Sequence, residues 1–182
     1  LGLASDADAI TSSHNLTATC AEGCRIALPK VDREEETLMP TRTAHARWEG
    51  NLQKGKGTMT LGSGAFEGAY SYGTRFEDAA GTNPEELIGA AHAGCFSMAF
   101  SMLLDKAGHP PKDIKTRADV TLENVGDGFK ITRVELHSEA VVAGIGTEEF
   151  RKQAEAAKKG CPVSQALAGT EIELKAELKG TE

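Results

Sequence analysis

From Thr43 onward the chain alternates between short β-favourable runs and longer apolar ones. The segments TAHARWEG, KGTMTL and YSYGTRFE are separated by glycine-containing turns, which is the pattern of an antiparallel meander. At TNPEEL the period changes: Thr82 or Asn83 can cap a helix, Pro84 fits its first position, and Glu85 and Glu86 complement its dipole. Gly108, Pro110 and Pro111 close it. The residues between are apolar nearly all the way round, so this helix needs protein cover on most sides. KTRADVTLE then alternates, with Ala118, Val120 and Leu122 on one face, whereas FKITRVELHSEAVV slips phase at Thr132 and Arg133 and predicts a bulge. TEEFRKQAEAAKKG reads as an amphipathic helix stopped by Gly160, and TEIELKAELK as a closing strand with Ile172, Leu174, Ala176 and Leu178 inward. This order predicts an α+β domain, an antiparallel β-sheet wrapped around a long buried helix. One sheet and one amphipathic helix cannot cover an all-apolar helix on every side, so a homodimer burying both long helices is expected.

Residues 1–40 differ from the rest. They are polar, lack sustained periodicity and carry seven acidic against three basic residues, and they read as a poorly ordered or atypical N-terminal extension to a single domain over 41–182. At 182 residues and 40 % hydrophobic composition, one domain with a real core is the expectation. A net charge of −7 without a Lys/Arg block argues against nucleic acid or an anionic membrane surface as partner. The N-terminus shows neither the basic nor the apolar region of a secretory signal. Four cysteines are too few for a disulfide scaffold and suit a reducing compartment, so a cytoplasmic location is expected. The run Leu87–Leu104 is long enough to span a membrane, but its glycines, serines and histidine and its lack of basic or aromatic flanks argue against a span.

The chemistry centres on thiols. Cys95 lies in the long helix about three turns from its start, too far for the helix dipole to stabilise a thiolate. A cation is needed, and Arg75 is the one positive charge between Gly57 and Lys106. A guanidinium near Cys95 would lower the thiol pKa and bind an oxygen-rich substrate, and Glu85 or Glu86 could hold it. Ten residues of helix separate Glu85 from Cys95, about 15 Å, so either Arg75 spans part of that gap or the site is completed across a dimer interface. His92, three residues before Cys95, raises a Cys/His nucleophile pair, against the plainer reading of a polar residue satisfied at a helix interface. Cys161 follows a helix-ending Gly160 and precedes Pro162, so as an N-cap it would face backbone N–H groups that favour a thiolate. Cys20 and Cys24 are spaced as for a clip or half a metal site, but no second pair matches them, and no metal or cofactor is expected.

The motifs TRFE, GTNPEELIGAAHAGCFSMAFSMLL and GCPVSQAL, in this order and spacing, resemble the OsmC branch of the OsmC and Ohr family of thiol-dependent hydroperoxide reductases. The resemblance runs from about Ala44 to Leu178 and leaves residues 1–40 without a counterpart. It implies an intertwined homodimer with active sites at the subunit interface, Cys95 as the peroxide-attacking cysteine and Cys161 as its disulfide-forming partner. Glu85 matches the glutamate that holds the catalytic arginine, and Arg75 matches that arginine. The implied activity is reduction of organic hydroperoxides, and less well H2O2, to alcohols through a Cys95 sulfenic acid and a Cys95–Cys161 disulfide, re-reduced by an external dithiol such as a dihydrolipoyl group. Two other classes stay open on the residues alone: a hydrolase or acyl transferase using Cys95 and His92, and a non-catalytic dimer that binds a small ligand.

Overall fold

In the computed structural model, which describes residues 39–180, six strands and four helices follow one another. Strands β1 (Ala44–Glu49), β2 (Lys56–Leu61) and β3 (Glu67–Ser71) form an antiparallel meander. Helix α1 (Tyr72–Phe76) and the long α2 (Pro84–Lys106) come next, followed by β4 (Pro111–Val125) and β5 (Gly128–Val142). Helices α3 (Thr147–Gly160) and α4 (Pro162–Ala166) lead to β6 (Glu171–Leu178).

The second sheet runs β4-β5-β6. The β4/β5 pair is antiparallel, and Thr121 faces Arg133 while Leu122 faces Ile131, so Thr132 is the extra residue of a bulge. That bulge restores the phase: beyond it Val134, Leu136, Ser138, Ala140 and Val142 all turn inward and are buried. β6 joins β5 in parallel, a departure from the all-antiparallel expectation. The reason is the connection: a parallel neighbour requires a long crossover in place of a tight hairpin, and α3 and α4 supply it.

The core is built from α2, α3 and this sheet. Phe96, Phe100 and Leu104 of α2 meet Phe150, Ala154 and Ala157 of α3, with Val134 and Leu136 beneath. Phe100 lies 5.6 Å from the Phe96 ring and 5.2 Å from the Phe150 ring. Gly89 lets α2 come down onto β4, because a Cβ there would stand 3.2 Å from the Ala118 carbonyl oxygen.

Helix α2 is long and apolar enough to cross a membrane, yet one stripe of it, Gly89, His92, Phe96, Phe100 and Leu104, is packed inside the protein. The opposite stripe, with Ala91, Gly94, Met98 and Met102, faces outward. Met98 is 77 % exposed and Met102 50 %. Among the described residues the first sheet contributes no side chain to this core.

Candidate active site

The chain leaves β3 earlier than its β-favourable composition suggests. Ser71 and Thr74 form a reciprocal cap, Thr74 N–H donating to Ser71 Oγ and Ser71 N–H to Thr74 Oγ1, which turns YGTRF into one helical turn. Arg75 therefore sits on α1 and not on a strand. Asn83 joins this turn to α2: its Oδ1 accepts from the Glu86 N–H at 2.8 Å and its Nδ2 donates to the Thr74 carbonyl at 3.1 Å. Of the two acids at the start of α2, Glu85 takes the arginine. Arg75 Nη2 donates to Glu85 Oε1 at 2.6 Å, and Nε lies 3.2 Å from both carboxylate oxygens. Glu86 accepts from Thr82 Oγ1 instead.

Cys95 and Cys161 meet. Their sulfurs are 2.8 Å apart, one thiol donating to the other. Cys161 is fully buried and Cys95 half-buried, so α2 presents the reachable thiol and the α3–α4 junction the enclosed one. Burial holds the Cys95 thiol above its ordinary pKa, and the neighbouring Cys161 adds to this against an opposing Val163 N–H. Burial also pushes Cys161 up, but Cys95, the Ser164 N–H and hydroxyl, and the Val163 N–H outweigh it and bring that thiol below its ordinary value. Cys161 is the N-cap of α4 and Pro162 takes the first helical position. The Val163 and Ser164 amides face the sulfur without closing a full cap hydrogen bond.

Among the described residues no cation acts on Cys95. Arg75 has its contacts at Glu85 and at the Phe76 ring, 5.4 Å from the guanidinium carbon. Among the described residues, then, Arg75 is held by Glu85 at the start of α2, and no hydrogen bond or ion pair joins it to either thiol. His92 is fully buried and directs Nε2 to Ser164 Oγ at 2.8 Å. No hydrogen bond joins it to Cys95, so the Cys/His nucleophile pair lacks its defining contact. Ser164 escaped the sequence reading, although its place three residues after an N-cap marks a side chain that turns back toward the cap. Groups of three or more side chains able to hold a metal are absent among the described residues, and Cys20 and Cys24 lie outside them.

The sequence pattern of OsmC-like proteins matches residues 77–177. Peroxiredoxin OsmC of Escherichia coli (strain K12) is 50 % identical over 139 residues, which cover 76 % of this chain and 96 % of that protein. The chain belongs to the OsmC family. Solved OsmC-type structures share its fold. An OsmC-like protein of Vibrio cholerae superposes with a TM-score of 0.61 at 17 % identity, over 76 % of this chain and 99 % of that one. An organic hydroperoxide resistance protein from Elizabethkingia anophelis gives 0.58 at 27 % identity, over 78 % and 98 %. In this OsmC-family chain α2 carries one member of each pair, Glu85 in its first turn and Cys95 near its middle.

Proposed function

We propose that this protein is a cysteine-based peroxidase that reduces organic hydroperoxides to alcohols. The observation that carries this reading is the 2.8 Å approach of the Cys95 and Cys161 sulfurs, one half-buried and one enclosed. Access divides their roles: a peroxide can reach Cys95, whereas Cys161 has no exposed surface. The Cys95 thiolate attacks the terminal peroxide oxygen, the O–O bond breaks, and the departing alkoxide takes a proton to leave as alcohol. Cys95 is then a sulfenic acid. The Cys161 thiolate attacks its sulfur, the S–O bond breaks, and hydroxide leaves with a proton as water, which forms the disulfide. A dithiol, of the dihydrolipoyl type, restores both thiols by exchange.

Cys161's lower pKa fits this order. A buried thiol needs no attack on free peroxide but must be ionised when the sulfenic acid appears beside it. Cys95 requires a cation, and the working unit we propose is a homodimer in which the Arg75–Glu85 pair of one protomer serves Cys95 of the other. Two features support it: the exposed apolar stripe through Met98 and Met102, and a first sheet that, among the described residues, adds no side chain to the core. The peroxidase domain spans 41–182, and a reducing cytoplasm is the compartment that keeps its thiols ready.

The test is consumption of an organic hydroperoxide with a dihydrolipoyl reductant. Wild-type protein should turn over and Cys95→Ser should not. Equal peroxide loss with both proteins would overturn the assignment.

A further inference from the structure

His92 is a buried imidazole that the reaction above leaves unused. It is fully enclosed on the core side of α2, and burial lowers its pKa, so it is a neutral ring with one N–H. Nε2 lies 2.8 Å from Ser164 Oγ, while Nδ1 has no hydrogen-bond partner among the described residues. Two tautomers are open to it. With the proton on Nδ1, a buried N–H donor would be stranded and the Ser164 hydroxyl would have to donate to Nε2. With the proton on Nε2, only a lone pair goes unmatched, the milder loss, since orphaned donors are rarer than under-satisfied acceptors. The second tautomer also makes Ser164 Oγ an acceptor and leaves its own O–H free. That O–H has a target: Ser164 stands three residues after Cys161 on the turn that Cys161 caps, and its hydroxyl is among the groups that favour the Cys161 thiolate.

We propose that His92 and Ser164 are positioning residues for the second thiol: His92 Nε2–H fixes the Ser164 hydroxyl so that it donates to the Cys161 thiolate. The chain His92–Ser164–Cys161 ends 2.8 Å from Cys95, so it acts where the sulfenic acid is attacked. His92 leaves from the same helix as Cys95, one turn earlier, which couples the donor's placement to that of the reacting sulfur. No proton is transferred along the chain. The hydrogen bond holds the charged sulfur before it attacks and weakens once that charge is spent in the S–S bond. This rests on the peroxidase reading for its purpose and not for its measurement.

The experiment follows the ionisation of Cys161, which is enclosed and out of reach of an alkylating probe, against pH by the carbon NMR shift of its Cβ in the full chain, in a Cys95→Ser background. Ser164→Ala should raise the Cys161 pKa by about one unit, a tenfold smaller thiolate fraction below that pKa, the size of one hydrogen bond to a charged group. His92→Phe should move it the same way. Ser164→Thr and His92→Gln, whose amide nitrogen can stand in for Nε2–H, should restore it. A purely structural role would shift the melting temperature and leave this pKa in place, and an unchanged pKa in Ser164→Ala would overturn the proposal. Nitrogen NMR of wild-type protein gives a check that needs no variant: His92 should be neutral and protonated at Nε2, and a ring protonated at Nδ1 would refute the chain. Neither readout uses peroxide, so a missing peroxidase activity and a missing hydrogen-bond chain are separate results.

Discussion

Removing either member of the Arg75–Glu85 pair should reveal which charge the fold depends on more. Three N–H···O contacts join them, the shortest at 2.6 Å. The Glu85 side chain is 9 % exposed and that of Arg75 35 %. Arg75→Ala leaves a carboxylate enclosed without its partner, and such a loss costs about 3 kcal/mol, toward the low end for buried pairs because one partner is a third open to water. Glu85→Ala leaves a guanidinium that can turn toward solvent and costs about 2 kcal/mol, the worth of hydrogen bonds to a charged group. In a domain of this size these correspond to falls in Tm of about 6–12 °C and about 4–8 °C. The double variant should lose little more than Arg75→Ala alone, which gives a coupling of about 2 kcal/mol. The assay is thermal unfolding of all four proteins at one protein concentration, since a dimer's Tm depends on it. Peroxide turnover should fall in Glu85→Ala even though the arginine is still present, because the guanidinium is no longer aimed. Additive Tm losses, or full turnover in Glu85→Ala, would refute this account of the pair.

Met98→Lys places a charge on the exposed apolar stripe of α2 and should convert the proposed dimer to monomer in sedimentation with loss of turnover; a variant that sediments as a dimer would contradict the proposed interface. Asn83→Ala removes the α2 cap and its tie to the Thr74 carbonyl and should cost about 1–2 kcal/mol in denaturant unfolding. Burial lowers the His92 pKa, so below its ordinary value the unfolded chain binds a proton that the native state refuses. This contribution to stability is whole above about pH 6.5 and declines as the pH drops from there toward the native pKa. The pH slope of Tm in that window should be shallower in His92→Gln, and an identical slope would show that His92 does not cause it.

Much of this was legible in the chain, for physical reasons that differ by element. The Asn-Pro-Glu-Glu start of α2 carries cap, first-turn proline and dipole signals together, and all three act locally, so the helix begins where those residues place it. The Thr132 bulge could be read because a period-2 pattern records a slip directly. The end of β3 could not: Tyr72 and Phe76 are β-favourable, and a Ser71–Thr74 cap four residues long overrides them. The parallel β6 depends on where α3 and α4 deliver the chain, which no single segment encodes. At the site, Cys95 and Cys161 stood out as thiols, but their approach is a contact between residues 66 apart in sequence. Ser164 was missed because a serine beside a proline turn is common, and its significance comes from a histidine 72 residues away.

Cys95 and Cys161 are proposed to form a reversible redox pair, with Cys95 oxidised first. The direct measurement is mass spectrometry of the protein after one equivalent of organic hydroperoxide, on wild type and on Cys161→Ser. Wild type should yield a Cys95–Cys161 disulfide, and Cys161→Ser should yield Cys95 as sulfenic and then sulfinic acid. Oxygen accumulating on Cys161 with Cys95 still a free thiol would contradict it.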